Sequence, residues 1–150
     1  MVNVTIREAF DNDIPMILGL LYDLGRPKPQ TNSDADIFRK LVKKYVKDSD
    51  KTIFVAEIDD TKILGMVSVM FLPRLNHHTL EMYIPELSVL ELYQNQGIGK
   101  KLITFCIAFA KENKCHRIRL ESGNQRIASH KFYKHLGFEQ TAYSFSKNLV

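Results

Sequence analysis

Residues 87–101 read LSVLELYQNQGIGKK: a β-type run passes through a glycine-containing turn directly into a helix, and this junction limits the fold more than any other segment. Glycine removes the Cβ that keeps a ligand off the backbone, and the first N–H groups of a helix have no internal partner. The junction therefore suits a bound phosphate. The same glycines also serve a tight turn with no ligand, and both readings stand on these residues alone. The segment is not a phosphate loop of the GxxxxGK[ST] type, and it fails the dinucleotide fingerprint because Leu102 stands where a third glycine would be.

The periodicity on either side supplies the other elements. Val2, Val4 and Ile6 alternate with Asn3, Thr5 and Arg7 and predict a strand over Val2 to Glu8. Asp11 or Asp13 can cap a helix from Ile14, with Pro15 in its first turn and Gly25 at its end. A loop with two prolines, Arg26 to Asn32, precedes a second amphipathic helix over Asp34 to Val46. Thr52 to Ile58 and Ile63 to Phe71, joined by the turn Asp59 to Lys62, predict a β-hairpin, and Glu81 to Leu90 a third strand. Ile98 to Asn113 is the strongest helix. A strand over Arg117 to Glu121, a helix over Ile127 to Leu136 closed by Gly137, and a last strand over Phe138 to Phe145 follow. The order is βααβββαβαβ, an α/β (α+β) domain.

Its 150 residues fit one domain, residues 1–150, and a chain of this size buries roughly 70% of the surface its unfolded form exposes. The longest apolar stretch, Ile14 to Tyr22, is broken by Pro15 and Gly19 and falls short of the roughly 20 residues that cross a bilayer. No membrane span is expected. The N-terminus lacks the basic-then-apolar build of a signal peptide, so the expected compartment is cytoplasmic. Cys106 and Cys115 cannot make a disulfide framework and show no zinc spacing, which predicts two apolar thiols and no metal. Charge is uneven: residues 100–135 carry nine Lys or Arg against Glu112 and Glu121, whereas residues 1–99 carry eleven against fourteen acids. A basic segment of that size suits a polyanion, either a phosphorylated cofactor or nucleic acid.

Gln94-Asn95-Gln96-Gly97-Ile98-Gly99 fits the pattern Q/R-x-x-G-x-G/A, and Phe132-Tyr133-Lys134-His135-Leu136-Gly137-Phe138 fits F-Y-x-x-x-G-F. Two such motifs, at this separation and in this element order, resemble the GNAT family of N-acetyltransferases over essentially the whole chain. The resemblance implies a mostly antiparallel mixed sheet flanked by helices, and transfer of an acetyl group from acetyl-CoA to the amine of a small molecule or peptide. It implies a pyrophosphate on the backbone amides of the loop Asn95, Gln96, Gly97, Ile98, Gly99 and Lys100, with Gln94 as a neutral contact to phosphate. It also implies a pantetheine arm along the main chain of Leu87, Ser88 and Val89, with the Val89 N–H as oxyanion donor. Tyr133 matches the tyrosine that such enzymes use as the acid for the departing thiolate.

Candidates for the base are Glu121, Glu86, and more weakly Glu81, each directly or through water. Gln94 stands where arginine is common, and Arg126 where asparagine is common. Asn124 or Arg126 is a further cofactor contact by the same resemblance. Ser129 and His130, adjacent on a helix, point about 100° apart and do not form a nucleophilic pair. His77-His78 reads as a solvated pair in a loop. In this fold acceptor choice falls to Leu24–Ser33 and Pro73–Thr79, and the acidic front of the chain favours a cationic acceptor such as a polyamine, an aminoglycoside or a peptide N-terminus. A peptide or protein amine acetyltransferase and a non-catalytic acyl-CoA-binding sensor are the alternatives. The basic segment coincides with the cofactor half, so no nucleic acid is expected, and relatives are often homodimers.

Overall fold

Ile53, Phe54, Val55 and Ala56 are all buried in the computed structural model, which describes residues 3–60 and 62–150. A strand apolar at every position must be covered on both faces. Alternation sends Ile53 and Val55 of β2 (Lys51–Ile58) into one cluster with Ile14, Ile17, Leu20 and Val42, contributed by α1 (Ile14–Asp23) and α2 (Asn32–Lys47). The intervening Phe54 points the other way. Its ring meets Phe105 and Phe109 of α3 (Ile98–Glu112) edge to face at 4.8 and 5.0 Å.

The chain forms two compact units, Met1–Arg119 and Leu120–Val150. In the first, β1 (Val4–Glu8), β2, β3 (Lys62–Pro73) and β4 (Leu80–Ile84) pair in sequence order as antiparallel neighbours. Next to β4 runs β6 (Arg117–Leu120), and β5 (Leu87–Val89) pairs with β3 alone. The second unit holds α4 (Ile127–His135), which ends before Gly137 at φ +93°. No helix among the described residues is long and apolar enough to cross a membrane.

Most expected elements form within one or two residues of the expected ends. The expected first strand includes Val2, and the hairpin turn includes Thr61; both lie outside the described residues. Two expectations need correction. The third strand is not continuous over Glu81 to Leu90 but breaks into β4 and β5 around Pro85, which has no N–H to give to a ladder. The last strand, Phe138 to Phe145, does not form; residues 139–150 are all exposed and give a strand no half-buried face.

Candidate active site

The break between β4 and β5 builds the site. Pairing along β4 sets Met70 against Tyr83, and that register continued would bring Glu86 opposite Val67, but Val67 faces Leu87 instead. One extra residue is accommodated, which is a β-bulge. Ser68 stitches it. Its N–H donates to the Glu86 carbonyl at 2.9 Å, its Oγ accepts the Glu86 N–H at 2.9 Å, and its hydroxyl donates to Glu86 Oε1.

Beyond the bulge, Leu90 N–H donates to the Leu64 carbonyl at 2.8 Å, so residues 86, 88 and 90 turn their backbone groups toward β3. Alternation then turns the N–H and C=O groups of Leu87 and Val89 to the opposite edge. Among the described residues no strand pairs with that edge. The Ser88 hydroxyl donates to the Leu20 carbonyl of α1 at 2.9 Å, which fixes β5 from the buried face. Gly65 lies beside β5, opposite Val89: a Cβ there would meet the Ser88 carbonyl oxygen at 3.0 Å and the Leu102 and Val89 side chains at 3.3 Å.

The chain leaves β5 through a turn of 3-10 helix, Glu91–Tyr93, and Gln94 Nε2 reaches back to the Val89 carbonyl at 3.0 Å. Asn95 and Gly97 both take positive φ, 61° and 84°. Gly97 caps α3 without any side-chain hydrogen bond, and the first helical bond runs from Lys101 N–H to the Gly97 carbonyl. The N–H groups of Ile98, Gly99 and Lys100 are thus outside the helical ladder, and a left-handed residue followed by a right-handed one turns successive N–H groups into a concave nest for an anion. Asn95, Gln96, Gly97 and Lys100 are exposed, whereas Ile98 is buried and anchors the helix.

On the face of the sheet covered by α1 and α2 the Glu86 carboxylate enters a pocket of about 130 Å³ whose walls are Leu21, Leu41, Val42, Tyr45, Ile53 and Met66. Glu86 Oε2 also accepts from Arg26 Nη2 at 3.1 Å. The Tyr45 hydroxyl donates to the Val69 carbonyl at 2.9 Å, and burial, then the Glu86 charge, raise its pKa above the usual tyrosine range. Glu81 is placed differently. It is fully buried and pairs with Arg117 and with Arg119, the latter at 2.9 Å. Burial pulls its pKa up, but the two guanidinium groups outweigh that and hold it below the usual carboxylate range.

In the second unit Tyr133 is half-buried between Phe132 and Phe138, with ring centroids 5.1 and 5.8 Å away. Burial raises its pKa, against a smaller opposing effect of Arg126, so the phenol stays protonated at neutral pH. Glu121 is exposed, its Oε2 accepting from Ser144 Oγ at 2.8 Å, and Asn124 is exposed in the loop before α4. His130 Nε2 is 2.8 Å from the Gly123 carbonyl. Cys106 is buried, which pushes its thiol up to about 12. His77 stacks on His116 at 4.0 Å.

Ser68, Arg26 and Tyr45 were not among the residues singled out in the sequence. The signal for Ser68 was a lone hydroxyl inside the apolar run Met66-Val67-Ser68-Val69-Met70; Arg26 lay in a loop already assigned to acceptor choice.

A strand edge that no described strand pairs with thus leads, through a turn, to a helix N-terminus without a side-chain cap. The model of the "Acetyltransferase (GNAT) family" matches residues 18–138, and the chain belongs to that family. Human N-acetyltransferase 8B is 28% identical over 107 residues, which are 70% of this chain and 46% of that protein. The match thus spans less than half the length of this relative. A structure described as a transcriptional regulator from Bacillus halodurans C-125 is 30% identical, with a TM-score of 0.90 over 98% of this chain and 100% of that one. Glucosamine-6-phosphate N-acetyltransferase from Arabidopsis thaliana shares the fold at 20% identity, with a TM-score of 0.82 over 99% of both chains.

Proposed function

We propose that the protein transfers the acetyl group of acetyl-CoA to a primary amine within a ternary complex, residues 1–150 acting as one catalytic domain. The observation that carries this reading is the β5 edge, with which no strand among the described residues pairs and which runs from a pocketed carboxylate at Glu86 toward an uncapped helix start at Gly97. In this reading the N–H groups from Asn95 to Lys100 receive the pyrophosphate, and the pantetheine arm runs along the main chain of β5, pairing with the outward backbone groups of Leu87. Asn124 supplies a further cofactor contact.

Glu86 takes a proton from the ammonium of the acceptor, and the freed lone pair attacks the thioester carbonyl carbon. The Val89 N–H donates to the oxyanion that develops. As the C–S bond breaks, Tyr133 gives its phenolic proton to the thiolate, and the proton that nitrogen loses on becoming an amide restores Tyr133 through solvent. We assign the base to Glu86 over Glu121 because Glu86 is half-buried in an apolar pocket, whereas Glu121 is solvated. A non-catalytic acyl-CoA sensor is the competing reading, favoured by the description of the Bacillus halodurans relative as a transcriptional regulator.

Free-thiol release from acetyl-CoA, measured over a panel of amines on wild type and Tyr133→Phe, separates the two. The enzyme reading expects turnover that falls about 100-fold or more in the variant, the usual contribution of a positioned acid. Tight acetyl-CoA binding with no turnover on any amine would establish the sensor.

A further inference from the structure

We propose that the acceptor is a small primary monoamine carrying a branched aliphatic or single-ring group, its ammonium held by Glu86 and its carbon skeleton filling the pocket between α1, α2 and the sheet. This rests on the acetyltransferase reading above and adds the substrate class to it.

The lining decides the chemistry. Six of the eight residues around the pocket present apolar surface, and Glu86 is the only charged one. The two hydroxyl groups are committed elsewhere: Tyr45 donates to the Val69 carbonyl, and Ser68 both donates to and accepts from Glu86. Neither has a proton left to donate to the hydroxyl groups of a sugar. Each carboxylate oxygen accepts more than one hydrogen bond, so an ammonium can join Arg26, a half-exposed side chain, on Glu86.

A second ammonium inside the pocket would have no counter-charge and would lose its water, which disfavours diamines and polyamines. The acidic front of the sequence had suggested such polycations, but its carboxylates, Glu86 apart, do not line this pocket. Size points the same way. An apolar cavity of about 150 Å³ holds a benzene ring, so a pocket of about 130 Å³ takes roughly five or six carbons. Leu41 is 58% exposed at the rim, and Ile37, one turn earlier on α2, is 51% exposed. These two residues form an apolar lip that a carbon skeleton entering the pocket would cover.

Steady-state thiol release with acetyl-CoA tests this on ethylamine, butylamine, isopentylamine, benzylamine, putrescine and spermidine. We expect kcat/KM to rise about fourfold for each methylene added up to isopentylamine, as burial of that surface requires. Putrescine, which has the same carbon chain as butylamine, should be about tenfold or more poorer because of its second charge. Leu41→Asp, which alters an exposed side chain, should narrow the butylamine-to-putrescine ratio, a ratio that does not depend on how much of the variant folds. A flat series, or one led by putrescine or spermidine, would overturn the pocket assignment and leave the acetyltransferase reading standing. Absence of turnover with every amine would overturn both.

Discussion

Glu81 and Glu86 stand on opposite sides of the bulge, and their neighbours separate them. Glu81 faces two arginines and no solvent, so it serves the fold. Its folded pKa lies below the ordinary 4.5, which means that its contribution to stability is present above that value and is lost as pH falls through the lower folded one. Asp13, held down by Arg7, acts in the same direction. Urea unfolding followed from about pH 6 to about pH 3 should show the midpoint dropping, and Glu81→Gln should lower it at neutral pH and flatten the acid dependence. Glu86 has a serine hydroxyl, one half-exposed arginine and an apolar pocket about it, so its carboxylate remains available to a ligand. Glu86→Gln is expected to lower kcat by about 100-fold to 10,000-fold with the thermal midpoint nearly unchanged. Glu121→Gln, at an exposed position, is expected to leave kcat as it is; the reverse ranking in the same thiol-release measurement would move the base to Glu121.

The bulge between β4 and β5 brings one carboxylate, Glu86, to the end of an unpaired strand edge. Gly65 permits the close pairing of β5 with β3, since a Cβ there would press on the Ser88 carbonyl and on two packed side chains. Gly65→Ala should therefore destabilise the protein by about 1–3 kcal/mol through overpacking and raise the KM for acetyl-CoA, by chemical denaturation and kinetics respectively. Gly97 and the apolar spacing of Ile98, Leu102, Ile103 and Cys106 made the start and buried face of α3 legible in the sequence. The bulge was not legible, because a one-residue shift of register depends on which residue of β3 faces which of β5, and both runs read as plain β. The final strand misled for a related reason. Aromatic residues at Phe138, Tyr143 and Phe145 state a propensity, whereas a strand also needs a partner edge and a half-buried face.

At the level of the whole molecule, the central strands β2 and β3 are covered on both faces, and their apolar runs over 53–56 and 63–67 were readable from pattern alone. The pocket beside Glu86 was not legible, since its lining comes from α1, α2, β2, β3 and the bulge, and Arg26 reaches Glu86 across 60 positions of sequence. The half of the site proposed to hold the cofactor on Leu87 to Lys101 is contiguous, so its turn and helix start were legible in the sequence. Amide hydrogen exchange, resolved by residue with and without saturating acetyl-CoA, reads that half directly. The account predicts slowed exchange at Leu87, Val89, Ile98, Gly99 and Lys100, the amides that face outward from β5 or stand outside the helical ladder of α3. Unchanged exchange at these five amides under conditions where acetyl-CoA binds would contradict it, and would place the cofactor elsewhere on the protein.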